Sequence, residues 1–236
     1  MSTTAIADRQ PPPKGLLLDF GSVMTVSVFE RHRTTETALG LRPGQLNWLG
    51  PLAPETDDLW RAMQQDRISE RDYWAQRARE TGELVGEPGW DMHAMLTRIR
   101  HVDPNQALRP QIRRLVLDAH AQGIRVGILS NELELFNGPR FAERLDIIHA
   151  IDAVVDGTHT HILKPDPRAY EQAVAAMRLE PGQILFVDDQ FRNIAGGVKA
   201  GLQTQFFDLR DIAGNLAAIR ARLRLASEAA DGKEAA

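Results

Sequence analysis

The chain has 236 residues, 43% hydrophobic and 25% charged, which suits a globular protein able to bury a sizeable core as one large domain or one domain carrying an insert. A formal net charge of −4 leaves no basic footprint for nucleic acid or an anionic membrane surface, so a small molecule is the expected partner. With no cysteine, disulfides, thiolate metal sites and a cysteine nucleophile are excluded; no apolar run nears the roughly 20 residues of a membrane helix, and a cytoplasmic location is expected.

Met1 to Lys14 is polar and ends in Pro11-Pro12-Pro13, which cannot pair in a sheet, so residues 1–14 are expected to form a disordered tail. Gly15-Leu16-Leu17-Leu18 then runs unalternated into Asp19 and Gly21. Such a short apolar run reads as a strand of a parallel sheet covered on both faces, with Asp19 at its carboxyl end, where open α/β sheets bind ligands. From Val26 to His101 the composition changes: all four tryptophans (Trp48, Trp60, Trp74, Trp90) fall here among many Arg and Glu. Segments 31–39, 56–65 and 70–81 look helical, the last started by Ser69, and this predicts a helical insert.

Sheet signals resume after the insert. An amphipathic helix over 110–122 is stopped by Gly123, a strand over 124–129 ends in Ser130-Asn131, and Phe141 to Leu145 is predicted helical. Ala153-Val154-Val155 forms a short strand running into a turn at Asp156-Gly157; a helix over 167–177 has proline in its first turn. Strand 183–187 ends in Asp188-Asp189, helix 194–200 is closed by Gly201, and strand 204–207 precedes an amphipathic helix over 212–225. Alternating strands and helices predict an α/β, Rossmann-like doubly wound parallel sheet as core, residues 15–25 and 106–225, with an α-helical insert over 26–105 and a second disordered tail over 226–236.

That topology brings four groups to one sheet edge: Asp19, Ser130-Asn131, Lys164 and Asp188-Asp189. Three carboxylates would repel one another without a cation, and Mg²⁺, which is hard and oxygen-seeking, suits them. A phosphoryl substrate completes the set. Its oxygens are neutralised by Mg²⁺ and Lys164 and held by Ser130 and nearby backbone donors, in line with Asp19 as nucleophile. Asn193, four residues past Asp189, is placed to orient that carboxylate by a hydrogen bond.

These four motifs, in this order, resemble those of the haloacid dehalogenase superfamily. Leu17-Leu18-Asp19-Phe20-Gly21-Ser22-Val23 is similar to its nucleophile motif, Leu129-Ser130-Asn131 to the second, Lys164-Pro165-Asp166-Pro167 through Tyr170 to the third, and Phe186-Val187-Asp188-Asp189 through Asn193 to the fourth. The resemblance spans about residues 15–210 and implies that the insert is a helical cap, that Mg²⁺ is held by Asp19, Asp188, Asp189 and the Gly21 carbonyl, that Ser130, Asn131 and Lys164 bind substrate, and that phosphate esters of small metabolites are hydrolysed.

One departure is Gly21, where phosphatases of the superfamily usually carry a second Asp as general acid and base, although some share a glycine there. Loss of such help is worth roughly 10²–10⁴-fold and implies slow turnover or a good leaving group. The same departure admits two alternatives, a metal-free 2-haloacid dehalogenase and a weakly catalytic or non-catalytic phosphoryl-ligand binder; the acidic pair Asp188-Asp189 argues against the first. His159, His161 and Glu132 are candidate stand-ins for the acid, against readings as loop histidines and a helix-starting glutamate. His32 and Arg33 are candidates for an anionic substrate group, and the tryptophans are expected to pack the insert's own core. No oligomeric state is read from the sequence.

Overall fold

The computed structural model describes residues 11–99 and 104–226, so most of both expected tails lies outside the described residues. Five parallel strands form one sheet in the order β3-β2-β1-β4-β5. They are β1 (Gly15–Leu18), β2 (Arg125–Ser130), β3 (Ala153–Asp156), β4 (Ile184–Asp188) and β5 (Gln203–Phe206). β1 is central, with Leu18 opposite Ile128 on one side and Val187 on the other, so the chain segments leaving β1, β2 and β4 emerge side by side. Strand order reverses across β1, the place where open α/β sheets form a ligand crevice. Residues 11–14 are not free: the Lys14 amide donates to the Gln183 carbonyl at 2.8 Å, which extends the β1 ladder by one residue.

The unalternated apolar strands are explained by two cores. Leu16 and Leu18 point into a large cluster with α5 (Pro110–Ala121) and α9 (Ile212–Leu223), while Leu17 packs on the other face against α7 (Pro167–Met177) and its Tyr170, beside α8 (Phe191–Lys199). Between β1 and β2 run α1 (His32–Ala38), α2 (Asp58–Gln64), α3 (Glu70–Leu84) and α4 (Met92–Ile99). They carry separate clusters, one of Phe29, Trp48, Trp60, Met63 and Tyr73, the other of Trp90, Met92, Met95 and Leu96. Ser69 opens α3 with a capping box: the Ser69 hydroxyl accepts from the Asp72 amide at 3.0 Å and the Asp72 carboxylate accepts from the Ser69 amide at 3.2 Å.

The expected helix over 141–145 is only a 3₁₀ turn, Ala142–Arg144, and the α-helix of this stretch is α6 (Leu133–Asn137). The Asp156 carboxylate draws α6 to that place by accepting from the amides of Leu133 and Glu134 at 3.0 and 2.9 Å, an interaction between segments that local periodicity does not report. The expected turn at Asp156-Gly157 is present and tight. A Cβ at Gly157 would lie 2.7 Å from the Asn131 carbonyl and 2.9 Å from that of Ile162, so the glycine allows two strand-end loops to meet. Gly157→Ala is expected to cost about 1–3 kcal/mol, the usual range for overpacking, read as a lowered urea midpoint at unchanged m; an unchanged midpoint would show that the loops are free to separate.

Candidate active site

Asp19 follows β1 in extended conformation, its amide donating to the Val187 carbonyl at 2.9 Å. The chain then turns sharply through Phe20–Met24, with Ser22 at φ 64°. Arg109 fixes that turn. Its guanidinium donates to the Ser22 carbonyl at 2.8 and 3.1 Å and to Glu30 Oε1 at 2.9 Å, tying the start of α5 to the loop beside Asp19.

Lys164 is the centre of charge. Buried to 3% exposure, its Nζ donates to Asp19 Oδ1 at 2.5 Å and to Asp188 Oδ2 at 2.7 Å. The sequence-predicted Asn131 is bound to the same loop: its Oδ1 accepts from the Lys164 amide at 2.7 Å, and its Nδ2 donates to the Lys164 carbonyl at 3.3 Å and to Glu70 Oε2 at 2.8 Å. Asp188 is encircled by donors, the Gln190 amide at 2.8 Å and Asn193 Nδ2 at 3.0 and 3.2 Å besides Lys164. Asn193 thus orients Asp188 rather than the expected Asp189, because α8 begins at Phe191 and its first turn packs back on the strand end. Tyr170 supports it from α7, its hydroxyl donating to the Asn193 carbonyl at 2.7 Å.

Asp19, Gly21, Ser130, Asn131, Lys164 and Asp189 all line one cleft of about 90 Å³. Burial, with Asp188 and Glu70 adding repulsion, outweighs Lys164 and pushes the Asp19 carboxyl up to about 7. Burial and the neighbouring Asp188 and Asp19 hold Asp189 well above the carboxylate range. Burial opposes the Lys164 charge, but Asp188 and Asp19 overcome it and keep the ammonium protonated. The donor set is therefore short of positive charge.

Among the described residues no three His, Cys, Asp or Glu side chains gather as a metal cage. Two carboxylates in one cleft, Asp19 and Asp189, together with a Gly21 that lines it, nevertheless fit Mg²⁺, which keeps several waters and takes one or two carboxylates plus substrate oxygens. Asp188, enclosed by its donors, is not among the cleft-lining residues.

The candidate histidines lie elsewhere. His159 is exposed and bound to Glu134 Oε2 at 3.0 Å, and neither it nor His161 lines the cleft. His32 is buried edge-on to Trp48 with ring centroids 4.3 Å apart, burial pulling it down to about 4, and Arg33 is exposed. The tryptophans do pack the insert, yet Trp60 and Trp74 also line the cleft. Glu132 lines it too, paired with Arg71. Sequence reading missed Glu70, whose oxygens accept from Asn131 Nδ2 and, at 3.1 Å, from Gln190 Nε2. The one available signal was the Ser69–Asp72 capping box, which fixes where α3 starts and so where Glu70 is held.

A family model described as haloacid dehalogenase-like hydrolase matches residues 13–201. Among curated relatives, the chain is 28% identical over 123 residues to a β-phosphoglucomutase of Bacillus subtilis, 52% of this chain and 51% of that one. It is 27% identical over 99 residues to Phosphatase MT3486 of Mycobacterium tuberculosis, 42% of this chain and 46% of that one. The matches thus span about half the length of these two relatives. Among solved structures, the protein YfnB of Bacillus subtilis bound to magnesium superposes with TM-score 0.62 at 14% identity, covering 83% of this chain and 87% of that one. The L-2-haloacid dehalogenase RSc1362 superposes with TM-score 0.60 at 18% identity, covering 89% and 100%. Both share the fold. No helix among the described residues is long and apolar enough to cross a membrane.

The raised Asp19 carboxyl has a thermodynamic signature. A group whose pKa is higher in the folded state, here about 7 against 3.8, contributes stability that is complete below the lower value and lost as pH climbs through the higher. In EDTA, Asp19→Asn is therefore expected to gain melting temperature relative to the parent as pH goes from about 5 to about 8. A difference in Tm that stays flat across that window would show that Asp19 ionises without cost.

Proposed function

The chain belongs to the haloacid dehalogenase-like hydrolases, and from its site geometry we propose that it is a Mg²⁺-dependent phosphatase of a small phosphorylated metabolite working through an aspartyl phosphate on Asp19. The observation that carries this reading is the buried Lys164 ammonium bridging Asp19 and Asp188 with Asp189 and Glu70 close by, an acidic excess that calls for a further cation, and that cation together with Lys164 would let a phosphoryl group bind. The relatives named phosphatase and β-phosphoglucomutase support a phosphorylated substrate.

In this reading Asp19 Oδ1 stays on Lys164 while Oδ2 attacks phosphorus; the new bond is Oδ2–P and the broken one is P–O to the leaving group, whose oxygen takes its proton from solvent; water then attacks phosphorus, breaking Oδ2–P, releasing inorganic phosphate and freeing the Asp19 carboxylate. Ser130, at the end of β2, donates its hydroxyl to a phosphoryl oxygen. Asn131 holds the Lys164 loop in place rather than the phosphate, since its amide is already engaged by Lys164 and Glu70. Asp19, Asp189 and the Gly21 carbonyl would hold Mg²⁺, which would supply charge that lets both carboxylates ionise and that polarises the phosphoryl oxygens. Asp188 positions Lys164. The helical insert, residues 26–105, acts as a cap that excludes water and selects substrate, and the protein works in the cytoplasm.

Gly21 offers no side chain to protonate the leaving oxygen. It has ordinary backbone angles, φ −66° and ψ 134°, and a Cβ there would meet only Asp19 Oδ2 at 3.8 Å, so a larger residue fits. This favours one second reading, carbon–halogen hydrolysis by Asp19, which needs no leaving-group acid.

Hydrolysis of p-nitrophenyl phosphate is expected with Mg²⁺, falling to background in EDTA and in Asp19→Asn. Gly21→Asp is expected to raise kcat on alkyl phosphates by up to about 10²–10⁴-fold. Halide release from chloroacetate in EDTA, without phosphatase activity, would replace this reading by the dehalogenase one, and neither activity would leave a phosphoryl-ligand binder.

A further inference from the structure

The Lys164–Asp188 pair is supported from two sides, and both supports end on one residue of the insert. On the β2 side, Asn131 Oδ1 accepts from the Lys164 amide at 2.7 Å and Asn131 Nδ2 donates to Glu70 Oε2 at 2.8 Å. On the β4 side, the Gln190 amide donates to Asp188 Oδ1 at 2.8 Å and Gln190 Nε2 donates to Glu70 Oε1 at 3.1 Å. Glu70 is the first residue of α3, set there by the Ser69–Asp72 capping box, and lines the cleft beside Asn131 and Gln190. It reaches the ammonium at one remove, since Lys164 Nζ itself is held by Asp19 and Asp188.

Neither side-chain amide is free to turn over. The Lys164 N–H can only donate, so Asn131 must give it Oδ1 and present Nδ2 to Glu70. Arg192 Nε is likewise a donor alone and lies 3.1 Å from Gln190 Oε1, so Gln190 must present Nε2 to Glu70. Asn131 and Gln190 are each 7% exposed, where an N–H that loses its acceptor is costly. Position 70 therefore has to supply two acceptors at once. A carboxylate does so; a glutamine offers one oxygen and turns its own N–H₂ against the other donor. As a bare charge Glu70 is adverse in a cleft that must admit phosphate, whereas as a pair of acceptors it is required.

We propose that Glu70 is the positioning residue through which the insert sets the phosphate-binding geometry of the core. Seated between Asn131 and Gln190, it holds the Lys164 loop and the Asp188 loop in register, so the core's affinity for a phosphoryl group depends on a side chain of α3 that this group need not touch. The proposal rests on the phosphatase reading above and adds to it the residue that ties the insert to Lys164.

The test reads the Ki of inorganic phosphate, an anion with no leaving group to meet the insert, against p-nitrophenyl phosphate hydrolysis by the Mg²⁺-loaded full chain. Glu70→Gln is expected to raise Ki about tenfold, the worth of one hydrogen bond to a charged group, although it removes a negative charge from the cleft. Glu70→Asp, which keeps the charge on an arm one methylene shorter, is expected to raise it as well. In an Asn131→Ala background the Glu70→Gln change is expected to alter Ki by no more than about twofold, because the glutamine then turns its oxygen to Gln190 and opposes no second donor. A Ki that is unchanged or lowered in either Glu70 variant overturns the proposal, and with a lowered melting temperature shows that Glu70 only fastens the insert. A full rise on Glu70→Gln that persists in Asn131→Ala overturns it too, since the effect then bypasses Asn131. A parent protein that hydrolyses no p-nitrophenyl phosphate with Mg²⁺ overturns the phosphatase reading and this proposal with it, whereas the other outcomes leave that reading standing.

Discussion

A lysine ammonium that is 3% exposed and holds a carboxylate from each of two neighbouring strands is the constraint on which the rest of the site depends. Taking such a charge out of water costs several kcal/mol per ion, and leaving it with one partner removed typically costs about 3–5 kcal/mol. Every nearby feature serves to keep both partners. The β1–β4 ladder places Asp19 beside Asp188, Asn131 grips both backbone faces of Lys164, and Asn193, itself held by Tyr170, fixes the far side of Asp188. Strand order, loop and helix start therefore all converge on one ammonium.

The insert is bound to the core through the same neighbourhood. Glu70 meets Asn131 and Gln190, Arg71 meets Glu132, Gln64 Nε2 meets Gln190 Oε1 at 3.2 Å, and Arg192 reaches Asp66 at 3.0 Å. These contacts are polar and mostly partly buried, whereas the insert's aromatic residues are gathered in clusters of their own. The physical difference matters. Polar contacts across a boundary exchange for water at modest net cost, whereas the apolar ones there, Phe136 of α6 against the insert's Met92–Met95 cluster and Leu52 of the insert against the large core cluster, would have to be unmade for the two to part.

The strand-end residues were legible in the sequence because a parallel strand buried on both faces reads as an unalternated apolar run, and the residue just past its carboxyl end must lie on the ligand edge. Asp19, Ser130 and the Asp188-Asp189 pair were all found that way. The partners of those residues were not legible. Arg109 is 87 residues from the Ser22 carbonyl it binds, and Glu70 is 61 from Asn131. No hydrophobic period encodes such pairings, and the Ser69–Asp72 capping box places Glu70 at the start of α3 without naming its partner. The role of Asn193 was misplaced by one carboxylate for a local reason: helix α8 starts three residues earlier than its apolar pattern suggests, and this swings the amide from Asp189 to Asp188.

Gly21 shows how a sequence departure can be read once the backbone is known. A glycine is often kept because the chain needs a positive φ or a close approach, and here it needs neither: the left-handed angle belongs to the next residue, Ser22, and the space around position 21 is open. The missing side chain is thus a chemical feature and not a demand of the backbone: position 21 lines the cleft beside Asp19 and brings no acid or base of its own to it, so whatever chemistry Asp19 performs must do without one from its own loop.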